Sequence, residues 1–253
     1  IVSIAEYTVA KWPDQPEAAD ALNTLIRFAI DAGELDRAED FLAKLPTSSS
    51  KLGDAQLKLG QAIWRECLET SREIQQAEKD GAPAGSDPAA QRAKLKTMQA
   101  KAREVLAAGF ASSKNGDKIN GTLLLAALSL AQVYVEAQTP EDAALAIAVL
   151  EDTKAGPLTL VRAGHDAAKS PGYVQETFKT ALRAYILALG STGDADATIA
   201  NAEQVMAELK TAMGETPEGK ARLINVYVGL ASDLDARMAV ASDDAKESLS
   251  RGF

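Results

Sequence analysis

Residues 120–150 read NGTLLLAALSLAQVYVEAQTPEDAALAIAVL, and the reading of this stretch decides the fold. Its first half is apolar nearly all the way round, which marks a helix wrapped by neighbours on several sides. The second half opens on Thr139, Pro140 and Asp142. These supply an N-cap hydroxyl, a proline at the first helical position and a carboxylate three residues after the cap, so a second helix starts after a short turn. The stretch is a tight helical hairpin.

Within it large, small and aromatic side chains recur as Ala127-x2-Leu130-Ala131-x2-Tyr134-x3-Gln138-x4-Ala143-x3-Ile147-x2-Leu150. A clearer copy is Leu22-x2-Leu25-Ile26-x2-Ala29-x3-Gly33-x4-Ala38-x3-Leu42-x2-Leu45, with Gly33 at the turn, free to take the left-handed conformation. Ser3-x3-Tyr7-x2-Ala10 in residues 1–12 gives the small, aromatic, small spacing of a second helix alone, and Ala10 and Leu45 stand 35 positions apart. Phe178-x2-Ala181-Leu182-x2-Tyr185 matches a first helix and Ala195-x3-Ile199-x2-Ala202 a second, joined by the turn GSTGD, one residue longer than in the other copies. This pattern, with a period near 34, resembles the tetratricopeptide repeat family.

The resemblance implies an all-α open superhelix, because a helical pair that cannot bury its apolar face alone must stack on the next. The expected layout is one array over residues 1–253: a half repeat at 1–12, repeats at 17–46, 120–152 and 171–213, and a partial one at 217–241. An opening in mid-repeat at Ile1 implies a piece of a longer chain, with a leader or anchor possible upstream. Residues 51–112 depart from the rhythm as an elongated hairpin. Ser49 or Ser50 caps its first helix, Leu59, Ile63, Cys67 and Ile74 line one face with Trp64 beside it, and DGAPAGSD forms the loop. Asp87 and Pro88 start the return helix, whose stripe is Leu95, Met98, Ala102 and Val105. Gly156 and Pro157 interrupt the rhythm again, a short helical piece follows around residues 158–168, and Ser170 with Pro171 restarts it. Met206, Leu209 and Met213 extend the stripe of the helix that follows. Thr216 and Pro217 cap a last helix carrying Leu223, Val226, Tyr227, Leu230 and Leu234, before a polar tail.

Composition narrows the function classes. Scarce aromatics and abundant alanine and leucine suit closely approaching helices. A net charge of -9 without a lysine or arginine block argues against a nucleic-acid partner. No apolar run approaches the roughly 18 residues of a membrane span. The lone cysteine, Cys67, makes no intramolecular disulfide, and one cysteine with one histidine builds no conventional zinc cage, so no metal or cofactor is expected. The glycine-containing GAPAG and GSTGD lack the lysine and hydroxyl of a phosphate-cradling loop and read as turns.

Two chemical constellations stand beside their structural readings. His165 next to Asp166 is either a general-base pair, for a hydrolytic or lyase activity, or a histidine near an inter-helix loop. A Cys67–His165 nucleophilic pair would have to meet across nearly a hundred residues, and a thiol on an apolar helix face is ordinarily inert. The family resemblance implies instead a non-catalytic scaffold whose first helices line a concave groove for a protein or peptide. It places Asn23, Arg27, Gln132 and Glu136 on groove-facing turns, where the alternative is a plainly solvated face. Some members grip a terminal carboxylate with lysine and asparagine at set positions, a set that Asn23 and Arg27 do not reproduce. Self-association through the terminal helices is the remaining expectation.

Overall fold

The computed structural model describes residues 1–80, 87–116, 119–189, 195–240 and 246. The interior of the DGAPAGSD loop, the GSTGD turn and the tail apart from residue 246 lie outside the described residues. Among the described residues there are eleven α-helices, one 3-10 turn and no strand. The chain divides into two compact units, Ile1–Lys118 and Ile119–Phe253.

The first unit holds α1 (Val2–Lys11), α2 (Pro16–Asp31), α3 (Leu35–Ala43), α4 (Leu52–Asp80) and α5 (Pro88–Ser113). Helix α2 packs on α1, α3 packs on α2, and α4 touches both α2 and α3 before pairing along its length with α5. Leu22, Ile26, Leu45 and Ala55 form the core beneath α2, with Val9, Phe41 and Leu42 packed around them. Gly33 closes the α2–α3 turn at φ +74°, a conformation that costs glycine nothing. On α1 the small, aromatic, small positions Ser3, Tyr7 and Ala10 are all exposed, while Ala5 is buried.

The α4–α5 pair depends on small residues. A Cβ on Gly60 would lie 2.6 Å from Leu106 Cγ, and one on Gly109 would lie 2.9 Å from the backbone nitrogen of Leu57. The two helices therefore approach where side chains are missing. Leu59, Ile63, Cys67 and Ile74 of α4 are buried as their spacing predicts, and Trp64 with them. The return helix differs: Leu95, Met98 and Val105 are only half-buried, and its core face is Ala102, Leu106, Gly109 and Phe110. Contact through Gly109 turns that face toward α4. Asp87 caps α5 as expected, its Oδ1 accepting from the N–H groups of Ala89 and Ala90.

The second unit holds α6 (Gly121–Glu136), α7 (Pro140–Leu150), α8 (Pro157–Arg162), a 3-10 turn (Asp166–Ala168), α9 (Pro171–Ala188), α10 (Ala195–Met213) and α11 (Pro217–Val240). Ten of the sixteen residues of α6 are buried, because α7, α8, α9 and the 3-10 turn all touch it. Thr139 caps α7 reciprocally: its Oγ1 accepts from the Asp142 N–H at 3.1 Å and donates to the Asp142 carboxylate at 2.8 Å. Helix α9 packs on both members of the preceding pair, and α11 packs on α9 and α10. The Tyr173 hydroxyl donates to the Leu124 carbonyl at 3.1 Å, pinning α9 to α6, and burial pushes that phenol above its usual range. Leu189 and Leu234, with Ile186, Ile199 and Met238 around them, join α9, α10 and α11. On α10 Val205 is buried and Met206 half-buried; on α11 Tyr227 faces solvent, contrary to its expected place in the stripe.

Candidate functional site

Helices α9 and α11 both begin at a hydroxyl followed by proline. Ser170 Oγ accepts from the Tyr173 N–H and Thr216 Oγ1 from the Gly219 N–H, which fixes where each helix starts and so which residues face the other. From α9 come Lys179 and Arg183, one turn apart; from α11 come Arg222, Asn225, Val226, Gly229 and Leu230, at the i, i+3, i+4, i+7, i+8 spacing of one helix face. Together they line a cleft of about 380 Å³. Gly229 leaves room at its wall, since a Cβ there would meet nothing within 4 Å.

Electrostatically the cleft contrasts with the chain. Among the described residues its lining carries three cations and no carboxylate, in a protein of net charge -9. Two of the cations are held from outside the lining. Lys179 Nζ pairs with Glu176 at 2.7 Å, and Arg183 Nη1 pairs with Glu136 of α6 at 2.9 Å, an arrangement that fixes the guanidinium at the edge of the cleft. Arg222 is exposed and has no ion-pair partner among the described residues. Val226 and Leu230 give the floor apolar surface. Such a cleft can take an anion and an apolar group side by side.

The four residues singled out from the sequence fall in both units. Asn23 and Arg27 lie one turn apart on α2 in the first; Asn23 is half-buried, its Oδ1 without a hydrogen-bond partner among the described residues, and Arg27 is exposed. Gln132 and Glu136 lie one turn apart on α6 in the second, Gln132 half-buried and Glu136 exposed beside Arg183. Lys179, Arg183, Arg222 and Asn225 were missed. A signal for two of them exists: when Leu22, Ala127 and Phe178 are superposed as the same pattern position, Lys179 falls on Asn23, and Arg183 falls on both Arg27 and Gln132.

The other constellations separate. His165 Nδ1 accepts from the Ala167 N–H at 3.2 Å, which caps the 3-10 turn and leaves Nε2 to carry the proton, while the Asp166 carboxylate is turned to Lys169. Cys67 is buried in the first unit, and burial pushes its thiol up to about 11, the Glu66 charge adding to the effect. A thiol so placed is largely un-ionised at neutral pH and a poor nucleophile. Among the described residues no three His, Cys, Asp or Glu side chains gather to hold a metal ion, and no helix is long and apolar enough to cross a membrane. Comparison of the chain with protein-family models, curated proteins and solved structures finds no match.

Proposed function

We propose that the chain is a tetratricopeptide-like repeat array that acts as a non-catalytic scaffold, and that the α9–α11 cleft receives an acidic segment of a partner protein. The observation that carries this is the lining itself: Lys179, Arg183 and Arg222 over an apolar floor of Val226 and Leu230. Carboxylates of the partner meet the cations, and an apolar side chain between them covers the floor. The repeat reading is supported by α9 packing on both helices of the pair before it. A left-handed residue at the matching turn position of two copies, Gly33 at φ +74° and Gln138 at φ +55°, supports it further. Glu136 enters as the residue that orients Arg183 rather than as a partner contact.

The test is fluorescence anisotropy with a labelled twelve-residue peptide alternating glutamate and leucine, against the same peptide with glutamine for glutamate. The acidic peptide is expected to bind at least about tenfold more tightly, each exposed charge contact contributing up to about 1 kcal/mol. Affinity should fall as salt rises. Arg222→Glu should weaken the acidic peptide and leave the glutamine peptide unchanged. Equal affinity for the two peptides, or indifference to Arg222→Glu, would contradict the reading.

A further inference from the structure

Helix α11 carries a second surface, turned by roughly half of the circumference from the cleft face. Ile224, Tyr227 and Val228 lie there at i, i+3 and i+4 with 60%, 46% and 64% of their surfaces exposed, the densest group of large apolar side chains left open on this helix. Ala231, one turn further, is exposed on the same stripe. Lys220 stands at its N-terminal end and Asp235 at its C-terminal end, both exposed. Read along the helix the stripe is Lys220, Ile224, Tyr227, Val228, Ala231, Asp235, about 22 Å long at the rise of an α-helix.

Its order is self-complementary. Turned end for end about a point between Tyr227 and Val228, the stripe sets Asp235 opposite Lys220, Ala231 opposite Ile224, and Val228 opposite Tyr227. Each large residue then meets a smaller one, and each end charge meets its opposite. A two-fold axis imposes this relation, because an isologous contact places residue i on j and j on i. Lys220 is free to turn to it, since its pair with Glu215 at 3.2 Å is between side chains 61% and 81% exposed, and pairs so solvated contribute little.

We infer that two copies of this chain associate through antiparallel α11 helices, Lys220 of each copy paired with Asp235 of the other. The inference does not depend on the acidic-segment reading, which uses the opposite side of the helix. One helix stripe covers much less than the about 800 Å² per partner of a standard interface, so the dimer is a weak, reversible one.

Sedimentation velocity of the 253-residue chain across a concentration series, without any peptide, tests it. The expected result is a weight-average sedimentation coefficient that climbs toward the dimer in the high micromolar range. Val228→Glu, at a solvent-facing position that folding does not need, should hold the chain monomeric, with circular dichroism checking the fold. Lys220→Glu and Asp235→Lys should each weaken dimerisation about tenfold, since each turns two symmetry-related attractions into repulsions. The double exchange should restore it to within about twofold. A monomer at every concentration would overturn the inference, and so would a dimer whose affinity ignores Val228→Glu or whose double exchange stays as weak as the single ones.

Discussion

Helices α4 and α5 of the first unit and helix α6 of the second solve the same packing problem in opposite ways. The α4–α5 pair, 29 and 26 residues long, comes together where side chains are absent, at Gly60 and Gly109. Helix α6, 16 residues long, is held by side-chain volume, with Leu124, Leu130, Ala131 and Val135 all buried among its neighbours. One contact therefore fails when atoms are added, the other when they are removed. The difference has a functional side too. A helix enclosed by others can anchor a turn such as the one carrying Glu136, whereas α4 and α5 beyond Ile74 and before Leu95 present mainly exposed residues, paired by charge between Arg92 and Glu78.

The contrast breaks most visibly at Leu130. Leu130→Ala removes a buried side chain of α6 and should cost about 3 to 4 kcal/mol in denaturant unfolding, with amide exchange accelerating first in α6 and α9. Acceleration that began in α4 would erase the distinction. Gly109→Ala probes the other side: the new methyl meets backbone at 2.9 Å, and a loss of about 1 to 3 kcal/mol is expected, with exchange accelerating in α4 and α5. A neutral result would show that the two helices can part without cost.

A smaller, pH-dependent difference marks the first unit. The folded state holds the Cys67 thiol at about 11, above its unfolded value, so the stability it contributes is full below the unfolded pKa and is lost as pH rises toward 11. The gap in unfolding free energy between wild type and Cys67→Ala should shrink by up to about 2 kcal/mol between pH 8 and 11. A gap that stays constant would mean that the thiol is not held neutral. The smallest effect is a gain. Gln138 sits at φ +55° where the matching position of the first copy is glycine, and Gln138→Gly should stabilise the second unit by up to about 1 kcal/mol in the same assay.

These residues also show what the sequence could and could not convey. Caps at Asp87, Thr139, Ser170 and Thr216 were readable because capping is local: a hydroxyl or carboxylate followed by proline needs no tertiary partner. The all-helical class was readable for the same reason. The face of α5 was not, since Leu106 and Phe110 become its core only once Gly109 admits α4 at close range. Nor was the exposure of Tyr227, whose spacing fits the buried stripe of α11 as well as it fits the open one. The cleft lay between these cases. Lys179 and Arg183 occupy pattern positions already singled out in earlier copies, but Arg222 gains meaning only from the packing of α11 on α9.

The central claim, that an acidic segment docks between α9 and α11, is tested most directly by amide and side-chain NMR shifts recorded while the glutamate–leucine peptide is titrated in. Shifts should concentrate at Lys179, Arg183, Arg222 and Asn225 and leave α4 and α5 still. Shifts centred on Asn23 and Arg27 of α2, or spread evenly over both units, would contradict it.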